Sequence, residues 1–99
     1  MVIIKQGEQH NIPIVSPVQL TGVRLFNVST GVFEEAVLGA ETMSGSNYTY
    51  YAELSALQTL AMPLGVYDLE LCSGSGASLH IEATKVRYAK IVKSSFSNS

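Results

Sequence analysis

The chain has no tryptophan, a single cysteine and few charges. One cysteine, Cys72, excludes an intrachain disulfide and a cysteine-built zinc cage. It follows Leu69-Glu70-Leu71 in an apolar stretch with no cation beside it to activate a thiol, which marks it as a small core side chain. Charged residues are 14% of the chain, against about 25% in an ordinary soluble domain. Much of the surface must therefore be neutral, as suits faces covered by neighbours. The formal net charge is −2, and no lysine/arginine cluster stands out to attract a phosphate backbone, so no nucleic-acid partner is expected. No apolar run reaches membrane-spanning length. The opening Met1-Val2-Ile3-Ile4-Lys5-Gln6-Gly7 is too short for a signal-peptide core and has no cleavage site after it, so neither membrane nor secretion is expected.

The residues that catalysis needs are also scarce. Nucleophilic chemistry requires a nucleophile, a base and an orienting group brought together. Only His10 and His80 could supply an imidazole. His10 lies between Gln9 and Asn11 in an apparent polar loop, and His80 alternates with Leu79 and Ile81, which points it outward from a strand. Glu34 and Glu35 are adjacent, so on a strand they face opposite ways and make a poor acid/base pair. Ser73-Gly74-Ser75-Gly76 lacks the lysine and following helix of a phosphate loop. No metal-ligand spacing is present. The expectation is a non-enzyme with no cofactor, no metal and no small-molecule substrate.

What the chain does have is alternation of apolar and polar residues, cut into short pieces by glycine, proline and serine. Ninety-nine residues suit one domain. Val2 to Lys5 reads as a first strand. Ile12 to Val15 follows, and Pro13 and Pro17 place it at an edge or at a switch between sheets. Val23 to Val28 alternates, with Val23, Leu25 and Asn27 on one face. Val32 to Ala40 supplies one or two short strands. Ser44-Gly45-Ser46-Asn47 is a turn, and Tyr48 to Leu54 is a strand with Tyr48, Tyr50 and Ala52 on one side. Leu54, Leu57 and Leu60 have helical spacing, Ser55 can cap the start, and Pro63 ends it, so a short helix is expected from Ser55 to Met62. Val66 to Cys72, Leu79 to Glu82 and Lys85 to Val92 complete the set. This predicts an all-β sandwich of seven or eight short antiparallel strands over residues 1–93, with a flexible tail at 94–99.

Leu60-Ala61-Met62-Pro63-Leu64-Gly65-Val66-Tyr67-Asp68-Leu69 resembles the tyrosine corner of immunoglobulin-like and fibronectin-like domains. The resemblance implies that Pro63 and Gly65 turn the chain between sheets, while the Tyr67 ring enters the core and its hydroxyl bonds backbone. Lacking both tryptophan and a cysteine pair, the chain departs from antibody domains, and only the broader immunoglobulin-like sandwich remains. The opening Met1 to Glu8, the segment Leu20-Thr21-Gly22-Val23-Arg24-Leu25 and the segment Leu64 to Leu71 together resemble small immunoglobulin-like modules of tailed-phage virions. That resemblance implies a structural virion protein made in the host cytoplasm: a capsid decoration, a neck or tail adaptor, or a fibre-attachment subunit. Its partners would be other virion proteins and further copies of itself. Docking would fall on the two ends of the chain, with Val2, Ile3 and Ile4 as an edge strand and Phe96 in the tail. The alternative is a stand-alone bacterial adhesion or carbohydrate-binding sandwich, marked by an exposed tyrosine/asparagine patch.

Overall fold

A computed structural model describes residues 1–94; the expected tail, apart from Ser94, lies outside the described residues, and so does Phe96. Eight strands form: β1 (Val2–Lys5), β2 (His10–Ser16), β3 (Gly22–Asn27), β4 (Phe33–Leu38), β5 (Thr42–Ser44), β6 (Asn47–Leu54), β7 (Gly65–Ser73) and β8 (His80–Val92). An α-helix, α1 (Ala56–Ala61), joins β6 to β7, and a 3-10 turn, Gly76–Ser78, joins β7 to β8. The pairing order is β1-β8-β7-β3-β4-β6-β2, with β5 also on β6. β4 belongs to both layers: Phe33–Ala36 pair with β3, and Val37 and Leu38 pair with β6. The result is a nearly closed, barrel-like sandwich, open between β1 and β2. β3-β7-β8 and β2-β6-β5 reproduce the C-F-G and B-E-D neighbours of an immunoglobulin-like sandwich.

The alternation read from the sequence builds the core. Ile12 and Ile14 of β2, Val23 and Leu25 of β3, Ala52 and Leu54 of β6, Leu69 and Leu71 of β7, and Ala89 and Ile91 of β8 are all buried. Asn27 lies on the buried face with Val23 and Leu25, as its parity requires. Cys72 is buried. β2 is an edge strand, in keeping with its prolines.

Several expectations need correction. The sheet is mixed, because β1 runs parallel to β8, with Val2 opposite Ala89 and Lys5 opposite Val92. The last two expected strands are one continuous β8 of 13 residues, interrupted by register shifts rather than by a turn. β5 is an additional three-residue strand leading into the Gly45 turn. His10 opens β2 instead of lying in a loop. Helix α1 is capped by Ser55, whose hydroxyl accepts the Gln58 N–H at 3.1 Å. Its leucines, however, face outward, Leu57 at 81% exposure and Leu60 at 56%. The buried helix residue is Thr59, whose hydroxyl accepts the Gly7 N–H at 3.1 Å and donates to Glu8 O at 2.8 Å. That position is chosen by the β1–β2 loop beneath it, a long-range demand that leucine spacing does not reveal.

Candidate docking surface

The corner residues come together around Tyr67. Its ring is buried, and its hydroxyl donates to Pro63 O at 2.7 Å. Gly65 stands at φ +133°, a conformation costly for any residue with a Cβ. Asn27 pairs with Tyr67 across β3 and β7. Its Oδ1 accepts the N–H groups of Ser29 and Thr30 at 2.9 and 3.0 Å, fixing the β3–β4 turn. Its buried Nδ2 makes no hydrogen bond of its own among the described residues. Burial pushes the Tyr67 phenol up, and the neighbouring Asn27 amide acts against that shift. These groups fix the β3–β4 turn and the chain's entry into β7.

The residues that could carry chemistry stay apart. His10 Nε2 lies 3.5 Å from the Tyr88 hydroxyl, whereas His80 is exposed at the start of β8. Glu34 accepts from Gln58 Nε2 at 2.9 Å, while Glu35 stands opposite Arg24 on the outer face. Arg24 is held by Glu70 at 2.7 Å and stacks on the Phe33 ring, 3.9 Å from its centroid. A cleft of about 450 Å³ opens beside the Gly74–Leu79 loop and reaches Arg24, Glu35 and Cys72, but neither histidine lines it. Burial pushes the Cys72 thiol up, so this sulfur is held in its unreactive form. Among the described residues no group of three or more histidine, cysteine or acidic side chains is placed to hold a metal.

The edges of the sheets differ in how they are protected. An edge strand exposes unpaired N–H and C=O groups, and proteins blunt it with proline, bulges or inward charges. β2 carries Pro13 within the strand and Pro17 just after it. β8 meets β1 only over Ala89–Val92, so its first half, from His80 to Arg87, is a free and fully exposed edge. That half has register shifts beside Glu82 and around Arg87, and Lys85 sits on the core-side face opposite Leu69. β1 has no proline and no bulge. Of the expected docking residues, Ile4 is 3% exposed and Val2 packs against the core. Among those the structure describes, Ile3 alone, 56% exposed, offers its side chain outward.

The cations gather here too. Lys5, Lys85, Arg87, Lys90 and Lys93, five of the six lysines and arginines, lie on β1, on β8 or just beyond it. None of them forms an ion pair with a described residue; the sixth, Arg24, does. Glu82 is the one acid on β8. At the opposite margin of the same sheet, Glu34 and Glu35 lie on β4, Glu41 follows it, and Glu53 stands opposite Val37 on β6. Five of the six cations are thus gathered on one side of the molecule, while the acids divide, Glu34, Glu35, Glu41 and Glu53 on the far side and Glu8, Asp68, Glu70 and Glu82 on or beside β1, β7 and β8. A signal existed: residues 25–84 contain no lysine or arginine and seven of the eight acids. Comparisons of the chain with protein families, with curated proteins and with solved structures found no match.

Proposed function

We propose that the chain is a non-enzymatic docking module that works by adding its β1 edge to a larger assembly. The observation that carries this reading is the β1 edge, which has neither the prolines of β2 nor the register shifts of β8 and leaves Ile3 exposed at the end of the strand order. The low overall charge supports it, since a neutral surface tolerates cover. The narrower reading, a structural component of a tailed-phage virion, rests on the sequence resemblance.

The test is sedimentation of lysates from cells producing the assembly, comparing the parent chain with Ile3→Lys. The parent is expected in fast-sedimenting particles visible by electron microscopy, and Ile3→Lys at the top of the gradient. A parent chain found wholly at the top, or a variant that sediments like the parent, overturns the proposal.

One observation favours the carbohydrate-binding alternative. On the outer face of the second sheet Tyr51 is 68% exposed opposite Pro13, with Asn11 and Glu53 one row along. Retention on a glycan array that is lost in Tyr51→Ala would support it.

A further inference from the structure

We infer that the partner met by the cationic β1/β8 edge is a second copy of this chain, presenting its acidic β4/β6 margin. The inference rests on the docking reading above and names its partner. Its basis is charge complementarity within one molecule. The β1/β8 edge holds five cations with no ion pair to a described residue, against Glu82 on β8, Glu8 just after β1 and Asp68 beside Arg87, and so keeps a positive excess. The β4/β6 margin holds Glu34, Glu35, Glu41 and Glu53 with no lysine or arginine between residues 25 and 84. Arg24, on β3 between them, is already occupied by Glu70.

Three strand spacings, roughly 14 Å, separate β8 from β4, so each copy has a positive and a negative side. Two such molecules repel when like edges meet, which disfavours a two-fold dimer through β1/β8. They attract when the positive edge of one faces the negative margin of the next. That contact is heterologous and leaves both outer sides open, so it propagates into a ring or a filament. Part of each acidic group is already engaged, Glu34 by Gln58, Glu41 by Tyr50 and Glu53 by Gln9, which holds those carboxylates in place. Glu35 is exposed, and its carboxylate accepts no hydrogen bond from a described residue; Gln58 Nε2 donates only to its backbone carbonyl.

The test is sedimentation velocity of the purified chain over a concentration series, at about 0.01 M and about 1 M salt, where the Debye length is roughly 30 and 3 Å. Association is expected at low salt and monomer at high salt. Two charge-reversed variants extend the test, Lys85→Glu/Lys90→Glu and Glu35→Lys/Glu53→Lys; all four side chains are exposed, so folding is retained. Each variant alone is expected to stay monomeric, and an equimolar mixture to associate again. A parent that is monomeric at low salt, association that ignores salt, or a mixture that stays monomeric overturns the inference. So does a monomeric parent that binds a duplex DNA fragment at low salt. A chain that is monomeric when pure yet still travels with particles removes the second copy as partner and leaves the docking reading standing; failure in both removes both.

Discussion

The hydroxyls of Tyr67 and Tyr50 do different work inside one core. Tyr67 donates to Pro63 O, so removing it leaves a half-exposed corner carbonyl short of one partner. Tyr50 accepts the buried Leu20 N–H at 2.8 Å and donates to the Glu41 carboxylate at 2.7 Å. Burial raises the Tyr50 phenol, and the Glu41 carboxylate raises it further. Tyr67→Phe is expected to cost about 0.5–1.5 kcal/mol, and Tyr50→Phe about 1–3 kcal/mol, because it orphans a buried N–H and loses a bond to a charged group. Urea denaturation of parent and both variants checks this; midpoints equal to the parent's would dismiss both roles. The two differ in legibility. Tyr67 was readable because its corner lies within five residues, Pro63 to Tyr67. Tyr50 was readable only as an inward-facing residue, since its partners come from a loop 30 residues away and from a carboxylate nine residues away. Asn27 has a readable orientation and local bonds to Ser29 and Thr30, whereas its place opposite Tyr67 depends on the β3–β7 pairing, which lies 40 residues away in sequence.

At the scale of elements, alternation revealed nearly every strand but not how strands meet. The β1–β8 pair is parallel because the chain ends enter the same edge in the same direction, and nothing in Val2–Lys5 encodes a partner 87 residues on. The irregularity of β8 at Arg87 falls inside the strand expected from Lys85 to Val92 and not at the expected break before it. Arg87 has φ +52°, a left-handed conformation that costs roughly 1–2 kcal/mol outside glycine. Its N–H is taken by Asp68 Oδ1 at 2.8 Å, just where the β7–β8 register slips. The carboxylate thus holds the bulge that separates the free half of β8 from the half paired with β1. Asp68→Ala is expected to lower stability by about 1 kcal/mol. Arg87→Gly should be neutral or stabilising by up to about 1 kcal/mol, since relief of the positive φ outweighs glycine's entropy cost of roughly 0.5–1 kcal/mol. Thermal unfolding of both variants decides the matter. Marked destabilisation by Arg87→Gly would show that the arginine side chain, not the backbone shape, is what the bulge needs.

The strand order of the whole molecule ends at β1 and β2, and among the described residues few groups span the opening between them. Gln6 Nε2 donates to Met62 O at 2.9 Å, Thr59 ties down residues 7 and 8, and His10 on β2 faces Tyr88 on β8. His10 is the titratable group among them whose charge changes near neutral pH. Burial lowers its pKa from the ordinary 6.5, so the folded chain favours the neutral ring. Above that value both folded and unfolded chains carry neutral His10, and its contribution to stability is complete. As pH falls below it, the unfolded chain takes up the proton first, and stability declines until the folded-state pKa is passed. Below that point the loss levels off. His10→Gln removes the titration and retains a side chain able to reach the Tyr88 hydroxyl. The parent's melting temperature is therefore expected to fall more between about pH 7.5 and pH 5 than that of His10→Gln, whose carboxylates titrate alike. Parallel curves for the two proteins would mean that the opening between β1 and β2 is wet enough to admit a charged imidazole, and that the seam is held by the Gln6 and Thr59 contacts alone.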